Sequence, residues 1–362
     1  MAAPLYQGLN MPAQCQGHYG LWFERFFNQY SPHNWEFADS AEKSNWLKAF
    51  HHKTVGDKQA LDQQAQAQSK LSQALCGKAL SFKANGHFVT GMGNPHPVEN
   101  GFAWHPTLGV PYLTGAAVKG LIRAYIENHL DADDKSKKEL LLNWFGSTSK
   151  QPNDKDYQAQ GGTLIFFDAL PTQPVTLGVD IMTPHMGDWY ADGAKAQKVG
   201  TPDAVPADWH DPVPVTFLVA KEITLLFSFA LRPTAPPQDK AAIKLDDVAY
   251  VLEQALQYAG AGAKTATGYG QMQSLAALET MKQQATLQDA EIVEAYLKRN
   301  LKNKSLLLEH QRKPIATLTN QDKVTEILNQ LDNLNQQKIA KGEGVKVKAY
   351  VMNKEIIQLV IG

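Results

Sequence analysis

The chain has little cysteine, no long apolar run and no export signal. Its 362 residues include two cysteines, too few for a disulfide framework or a complete structural zinc site. The most apolar stretch, residues 223–231, is far shorter than the ~20 residues that a membrane helix needs. The first residues have neither a basic start nor an apolar core, so they are unlike a secretory signal. We therefore expect a cytoplasmic protein without a membrane segment.

The chain also has no excess of charge of one sign. Its formal net charge is −1 at pH 7 and its pI is about 6.8, whereas a free-standing nucleic-acid-binding protein is usually basic. Residues 281–362 are the more basic part, with 13 Lys and Arg against 9 Asp and Glu. Any nucleic-acid surface must therefore be local, or the chain must share it with partners.

Patterns of catalytic and metal-binding residues are missing as well. The sequence has no Gly-x-Ser-x-Gly elbow and no His-Glu-x-x-His pair, and we predict no metal site and no cofactor. His87, His96 and His105 surround a loop with several prolines, where structural or surface roles are the usual ones. We keep His185 as a candidate site residue because it ends a predicted strand beside a long loop.

The most informative segment is residues 111–123, with the sequence PYLTGAAVKGLIR. A turn opens there into an amphipathic helix predicted over residues 114–129, with Thr114 as its N-cap. Lys119 and Arg123 lie four residues apart and share one face. The core-facing stripe consists of Val118, Leu121, Ile122, Tyr125 and Ile126. Because a helix N-terminus favours an anion, and Gly120 leaves room for close approach, this segment predicts contact with backbone phosphates.

A second glycine-rich segment, residues 260–270, has the sequence GAGAKTATGYG. It is not a nucleotide-binding P-loop, because Ala263 precedes Lys264 where that motif needs glycine, and because the preceding element is a predicted helix. Its glycines, one cation, two threonine hydroxyls and Tyr269 favour a loop that follows a sugar–phosphate backbone.

The order of the predicted elements indicates an α+β fold. The core elements are a strand at 79–90, a helix at 114–129, strands at 162–169, 175–182 and 215–231, a helix at 246–259 and a strand at 270–275. This order is that of a ferredoxin-like, RRM-like core with an extra strand or hairpin. Residues 183–214 predict a long loop that carries Trp189, Tyr190 and Trp209, which are candidates for base stacking or for packing the loop.

We predict three regions along the chain. They are a helical N-terminal region over residues 1–78, the core over residues 79–280, and a small basic α/β unit over residues 281–362. In the last unit, the pattern predicts helices over residues 287–308 and 324–339, followed by strands over residues 345–361.

Three motifs resemble a known family. Residues 111–123 resemble the signature at the first helix of the RAMP superfamily of CRISPR-associated proteins, and residues 262–270 resemble its glycine-rich loop. Residues 180–185 (DIMTPH), followed by Trp189 and Tyr190, resemble the sixth-subunit family of the Cmr module of type III-B CRISPR effector complexes. The resemblance covers about residues 79–278.

This resemblance implies a non-catalytic RNA-binding subunit of a ribonucleoprotein. Such a subunit caps the backbone filament near the 3′ end of the CRISPR RNA and contacts the guide–target duplex. The implied partners are CRISPR RNA, target RNA and other Cmr or RAMP subunits. Carried onto this sequence, the RNA-binding residues are Thr114, Gly115, Lys119, Gly120, Arg123, His185, Gly260, Gly262, Lys264, Thr265, Thr267, Gly268, Tyr269 and Gly270.

Two alternatives stay open at this point. One is an RNA-processing endoribonuclease of the same superfamily, with a histidine as general acid or base and Lys119 or Lys264 stabilising charge. The other is a purely structural subunit whose glycine-rich loop serves protein docking.

Overall fold

The structure, a computed structural model, describes residue 15, residues 17–28, 40–147 and 159–192, residue 205 and residues 212–360. The chain divides into two compact units, Met1–Leu275 and Ala276–Gly362. None of the described helices combines the length and apolar character needed to cross a membrane.

The first unit contains helices and two antiparallel sheets. Its helices are α1 (Tyr19–Arg25), α2 (Ser40–Lys48), α3 (Lys58–Ala74), α4 (Gly115–Asn128), α5 (Asp134–Phe145), α6 (Gly187–Asp192), α7 (Pro237–Ala241) and α8 (Leu245–Gln254). Its strands are β1 (Thr54–Val55), β2 (Lys78–Ala84), β3 (His87–Phe88), β4 (Leu164–Phe166), β5 (Leu170–Pro171), β6 (Val175–Met182), β7 (Val215–Lys221), β8 (Thr224–Leu231) and β9 (Met272–Ser274).

The two sheets have different strand orders. The first sheet has the order β1-β6-β7-β3, and the second has the order β4-β8-β2-β9, with β5 also paired to β8. The long hairpin of β6 and β7 pairs Thr176 with Lys221 at one end and Met182 with Val215 at the other. Strand β6 therefore spans residues 175–182, as its alternating pattern predicts, whereas the strand predicted over residues 79–90 forms two pieces, β2 and β3.

One hydrophobic core joins both sheets and the helices of this unit. Phe82 and Phe227 of the second sheet, Leu177 of the first sheet and Phe23 and Leu47 of the N-terminal helices all belong to it and are almost fully buried. Burying a side chain of this size contributes about 1.5–3 kcal/mol. The N-terminal helices thus share their core with the sheets.

Helix α4 presents the apolar stripe that its sequence predicts. Val118, Ile122 and Ile126 are buried, while Leu121 and Tyr125 are partly buried against the same core. Their spacing of three and four residues places them on one side of an α-helix. Lys119, Gly120 and Arg123 are left on the more open sides.

Residues 183–214 are only partly loop. Helix α6 occupies Gly187–Asp192, and residues 183–186 separate it from the end of β6. Residues 193–204 and 206–211, which include the predicted stacking residue Trp209, lie outside the described residues.

The second unit is an antiparallel five-stranded sheet with helices. Its strands are β10 (Glu291–Arg299), β11 (Leu306–His310), β12 (Lys313–Leu318), β13 (Val345–Met352) and β14 (Glu355–Leu359), and its helices are α9 (Leu275–Asp289), α10 (Gln321–Asn329) and α11 (Asn333–Ala340). The sheet order is β12-β11-β10-β13-β14. Val324, Ile327 and Ile339 of the helices are buried in its core.

The helix predicted over residues 287–308 is wrong. Residues 291–299 form the central strand β10, in which Ala295 and Leu297 are buried while Ile292 and Tyr296 are exposed. That alternation has the period of a strand, and pairing with β13 supplies the partners. Leu, Ala, Glu, Lys and Arg in this segment favour a helix locally, but packing in the sheet overrides a weak intrinsic preference.

Candidate functional site

The N-terminus of α4 already holds a negative group. The Thr114 hydroxyl accepts a hydrogen bond from the Ala117 amide at 3.2 Å, which confirms the predicted N-cap. The Gly115 amide donates to Oδ1 of Asp168 at 2.6 Å. A carboxylate of the same chain therefore occupies the position at which the sequence predicted a backbone phosphate. It accepts a hydrogen bond from an amide that has no partner within the helix.

Gly115 is required by the packing of α4 on β4. A Cβ atom at this position would lie 2.3 Å from the carbonyl oxygen of Phe166, well inside any allowed contact. The glycine therefore lets the helix start against the end of β4, close to Asp168. Its role here is to bring two backbones together.

The two cations of the α4 motif both have partners within the chain. The Lys119 ammonium donates to the carbonyl oxygen of Phe145 at 3.3 Å. The Arg123 guanidinium forms an ion pair with Glu127 one turn further along, at 2.8 Å. An exposed pair of this kind contributes about 0.3–0.5 kcal/mol, so a stronger ligand can replace Glu127 at little cost.

Gly120 has no packing reason to be glycine. A Cβ atom there would meet no heavy atom within 4 Å, apart from the neighbouring turns of its own helix, and the residue is exposed. Glycine inside a helix costs about 1 kcal/mol relative to alanine. The motif therefore leaves an open strip of backbone between Lys119 and Arg123.

The glycine-rich loop folds through a series of left-handed backbone positions. Gly260, Gly262, Gly268 and Gly270 all have positive φ, and so does Lys264, at 57°. The loop closes on itself where the Ala261 amide donates to Gly270. It is then tied to the segment that includes β3, because the Gly270 amide donates to the carbonyl of His87 and the Ala263 amide to that of Val89.

Two of these glycines are needed because backbones meet. A Cβ atom on Gly262 would lie 2.1 Å from the carbonyl oxygen of Val89, and one on Gly270 would lie 1.9 Å from that of Ala261. Gly268, by contrast, has open space around it and is exposed. Gly268 is therefore the point of the loop where a ligand has room to approach the backbone.

Asp180 joins residues 180–185, which we call the β6 motif, to the glycine-rich loop. The Tyr269 hydroxyl donates to Oδ2 of Asp180 at 2.5 Å, and Nδ1 of His87 lies 3.2 Å from the same oxygen. Burial opposes the charge on Asp180, but hydrogen bonds from Tyr269, the Ile181 amide and His87 outweigh it and lower the pKa of the carboxyl. Burial and the Asp180 carboxylate raise the pKa of Tyr269 to about 12. Asp180 is therefore ionised at neutral pH and holds the loop on the first sheet.

Lys264 turns back towards the protein. Its ammonium lies 5.3 Å from the centre of the Phe217 ring and 3.8 Å from the Met182 sulfur. A cation over an aromatic face gains about 0.5–1 kcal/mol at a partly exposed site. The lysine thus supports the packing of the loop on the first sheet.

The threonines of the loop form a short 3₁₀ turn, Thr265–Thr267. The Thr267 hydroxyl donates to the carbonyl of Lys264 at 2.8 Å. Thr267 and Gly268 are exposed, whereas Thr265 is partly buried. The exposed surface of the loop therefore includes the Thr267 side chain and the backbone at Gly268.

His185 lies at the start of the segment that leads to α6. It is exposed, and no hydrogen bond to its ring is found among the described residues. Trp189 and Tyr190 follow on α6, with ring centres 4.9 Å apart, and Tyr190 is 74% exposed. These three residues stay candidates for ligand contact by position alone.

The fold brings together some of the predicted residues. Tyr269 and Lys264 contact the β6 motif at Asp180 and Met182. Helix α4 packs against the π-helical turn Ala255–Ala259, which leads into the glycine-rich loop. Sequence reasoning missed Asp180 and His87 as a pair. The available signal was Asp180 itself, an acidic residue within an otherwise apolar alternating strand.

Metal binding finds no support in the part of the chain that the structure describes. Within it, no three histidine, cysteine, aspartate or glutamate side chains lie close enough together to hold a metal ion. His87, Asp180 and Tyr269 form a hydrogen-bonded group of three side chains.

Comparisons with known proteins give the same family by sequence. The RAMP superfamily profile matches residues 81–273, over half of the chain. The Cmr6 subunit of the CRISPR system of Pyrococcus furiosus is 30% identical over an alignment of 249 positions, which covers 55% of this chain and 67% of that protein. The Cmr6 subunit of Saccharolobus solfataricus is 28% identical over 89 residues, 24% of this chain and 26% of that protein.

Two solved structures are also similar. A cryo-EM structure of type III-B Cmr-beta bound to cognate target RNA matches at 18% identity over 64% of this chain and 70% of that chain, with a TM-score of 0.45. A crystal structure of Cmr6 from Pyrococcus furiosus matches at 24% identity over 55% of this chain and 97% of that chain, with a TM-score of 0.29.

Proposed function

Because this chain belongs to the RAMP superfamily, we propose that it is a non-catalytic RNA-binding subunit of a type III-B CRISPR (Cmr) ribonucleoprotein effector complex in antiviral defence. One observation carries the proposal: the family match over residues 81–273 includes the α4 motif, the β6 motif and the glycine-rich loop. The identity of 30% to a Cmr6 subunit supports the assignment to that subunit family.

The proposed place of the subunit is at one end of the complex. It caps the backbone filament near the 3′ end of the CRISPR RNA, contacts the guide–target duplex and binds neighbouring Cmr or RAMP subunits in the cytoplasm. Base pairing with the guide selects the target, while the protein contacts backbone and shape. A net charge near zero fits this role, because the neighbouring subunits share the RNA.

We interpret residues 79–280 as a ferredoxin-like core. The four strands follow one another along the chain as β2, β4, β8 and β9. In the sheet they lie side by side as β4-β8-β2-β9, that is, as second, third, first and fourth, and this order supports the interpretation. Helices α4 and α8 follow the first and third of these strands, as a split βαβ pattern requires. Residues 1–78 and 281–362 would then be additions to this core.

The RNA contacts that we propose are mainly backbone contacts. Gly120 and Gly268 are the open glycines of the two motifs, and Gly120 lies between the cations Lys119 and Arg123. Lys119 and Arg123 hold only a carbonyl and an exposed carboxylate, so a phosphate can recruit them. Gly115, Gly262 and Gly270 act indirectly by setting the path of the backbone.

The first experiment is purification of the tagged chain from its native host. Short RNAs of uniform 5′ sequence, recovered together with other CRISPR-associated subunits, are the expected result. RNA sequencing and mass spectrometry identify the two classes. Recovery of neither class contradicts the proposal.

A charge reversal tests the α4 surface. Arg123→Glu should weaken RNA binding, because it places a negative charge beside the open strip at Gly120. Lys135→Glu is the matched control, since Lys135 also pairs with a glutamate four residues on, Glu139, on an exposed helix face. Both variants lose a similar surface pair, so equal RNA affinity for the two would argue against this surface. Loss of partner subunits with RNA binding intact would favour the docking alternative.

The endoribonuclease alternative has one structural feature in its favour. His87 is partly exposed and is oriented by Asp180, the arrangement in which a carboxylate positions an imidazole for acid–base work. Cleavage of a repeat RNA by the purified chain, abolished by His87→Ala, would establish it. We expect neither the wild-type chain nor the His87→Ala variant to cleave the RNA.

A further inference from the structure

Lys221, at the end of β7, has a side chain whose charge is not balanced by a close carboxylate. No ion pair to Lys221 or to the exposed Lys53 occurs within the described part of the chain, and the neighbouring Glu222 pairs with Lys83. Unlike Lys221, the cations of the two motifs have partners within the chain: Arg123 pairs with Glu127, and Lys264 lies over an aromatic ring. The positive charge most available to an anion on the first sheet is therefore outside both motifs.

Gly178 on β6 makes room for the Lys221 side chain. A Cβ atom on Gly178 would lie 2.5 Å from Cε of Lys221 and 2.9 Å from Cγ2 of Val219. The lysine stem therefore lies flat across β6 in the space that a side chain would otherwise fill. Glycine weakens the interior of a strand, and its presence there often marks a close approach. Here the approaching group is a lysine.

His51 lies beside this lysine and presents an N–H group. Its Nδ1 accepts a hydrogen bond from the Val179 amide at 3.1 Å, so the ring proton sits on Nε2. Burial, His52 and Lys221 lower the pKa of His51, which keeps the ring neutral at pH 7. A neutral imidazole in this tautomer offers one donor, at Nε2.

His52 adds a second ring in an unusual backbone position. Its φ is 61°, and its ring centre lies 3.9 Å from that of His51. A residue with a side chain pays about 1–2 kcal/mol for a left-handed conformation, and such strain is often found at functional sites. The turn before β1 therefore holds two imidazoles together at the edge of the sheet.

Lys221 and its neighbours on the first sheet are continuous with the residues that hold the glycine-rich loop. Across the first sheet, Lys221 is paired on one side with Thr176 and on the other with His87, and His87 contacts Asp180. Strands lie about 4.8 Å apart, so the row from β1 to β3 is about 14 Å long. Asp180 lies outside this row, opposite Phe217, and its carboxylate is already bonded to Tyr269 and His87.

We propose that Lys221 and Nε2 of His51 form a phosphate-binding patch for the RNA backbone, built on Gly178. This proposal rests on the proposed function and adds to it a surface that lies outside the superfamily motifs. The Lys221 ammonium supplies charge, and the His51 imidazole supplies a directed donor to a phosphate oxygen. An RNA strand on this patch would continue towards Gly268 of the glycine-rich loop.

The test is RNA affinity of the full-length chain as a function of salt. A labelled single-stranded RNA of CRISPR-RNA length is titrated by fluorescence anisotropy at several NaCl concentrations. Lys221→Met keeps the stem over Gly178 and removes the charge. We expect about a threefold to fivefold loss of affinity and a decrease of about 0.7 in the magnitude of the salt slope, the value for one phosphate contact on a single strand. Lys58→Met, which removes an exposed lysine paired with Asp62, should change neither.

A second variant changes the position of the charge and not its amount. Gly178→Ala displaces the Lys221 stem, so the affinity and the slope should fall as in Lys221→Met, with the thermal melting temperature as the folding check. Wild-type RNA binding together with unchanged binding by both variants overturns the patch and leaves the proposed function standing. Loss of partner subunits by Lys221→Met, with RNA affinity unchanged, also overturns it and identifies a protein contact. Absence of RNA binding by the wild type counts against the proposed function itself.

Discussion

Replacing Gly120 with alanine should raise stability and lower RNA affinity at the same time. The position is inside α4, and a Cβ atom there meets no heavy atom within 4 Å outside the neighbouring turns. The substitution therefore gains the full helix preference of alanine over glycine, about 0.8–1 kcal/mol. If RNA backbone lies on the open strip between Lys119 and Arg123, the new methyl group occupies its space.

The stability effect has a predictable size. For a unit of over 200 residues, 1 kcal/mol shifts the melting temperature by about 2–4 °C. Gly120→Ala should therefore raise the melting temperature by about 2–3 °C in the absence of RNA, when followed by circular dichroism. The same preparation should bind RNA several-fold more weakly in the anisotropy assay.

The reverse substitution one turn along the helix is the control. Ala124 is also exposed on α4, so Ala124→Gly should lower the melting temperature by about as much as Gly120→Ala raises it. Its RNA affinity should stay at the wild-type value. A lower melting temperature for Gly120→Ala would refute the structural reasoning, because it would mean that the glycine is needed for packing. Higher stability with unchanged RNA affinity would refute the contact at this strip.

Three further predictions concern the glycine-rich loop. Tyr269→Phe removes a hydrogen bond to an ionised carboxylate and should cost about 1.5 kcal/mol of unfolding free energy in urea; no change would mean that Asp180 does not hold the loop. The pKa of Tyr269 is about 12 in the folded chain and about 10 when unfolded, so its contribution to stability is complete below pH 10 and is lost as the pH rises towards 12. The difference in unfolding free energy between wild type and Tyr269→Phe should therefore narrow between pH 10 and pH 12. Gly262→Ala should destabilise the chain far more than Gly268→Ala, since both positions have positive φ but only the first places a methyl group against a carbonyl. Gly268→Ala should cost about 1–2 kcal/mol of unfolding free energy. Equal losses of unfolding free energy for the two variants would contradict this description of the loop.

Local patterns were sufficient for the elements that surround the site. The helix α4 was predictable because its cap, its apolar stripe and its length are properties of adjacent residues. Strand β6 was predictable for the same reason, since alternation is visible within eight residues. The same local reasoning failed at residues 291–299, where the composition favours a helix and the partner strand β13 lies about fifty residues further on.

The partners of the charged residues were not predictable from the sequence. Lys119 and Arg123 are recognisable as cations on a helix, but nothing local shows that the N-terminus of α4 is filled by Asp168, which is 53 residues away. Nor does the sequence show that the Tyr269 hydroxyl is directed at Asp180, 89 residues earlier. The first contact depends on the packing of α4 against β4, and the second depends on the path of the glycine-rich loop over β6 and β7.

The sequence by itself determined the family, the motif residues and the periodic elements, because each of these is written in short-range patterns of residue type. Only the tertiary structure decided which groups the motif residues bind, which glycines are needed for packing and which are open, and where unpaired positive charge lies. Gly178 shows the difference: in the sequence it is one glycine in a strand, and in the fold it leaves the space in which the Lys221 stem lies. Such spaces arise when distant strands pair, so they exist only in three dimensions.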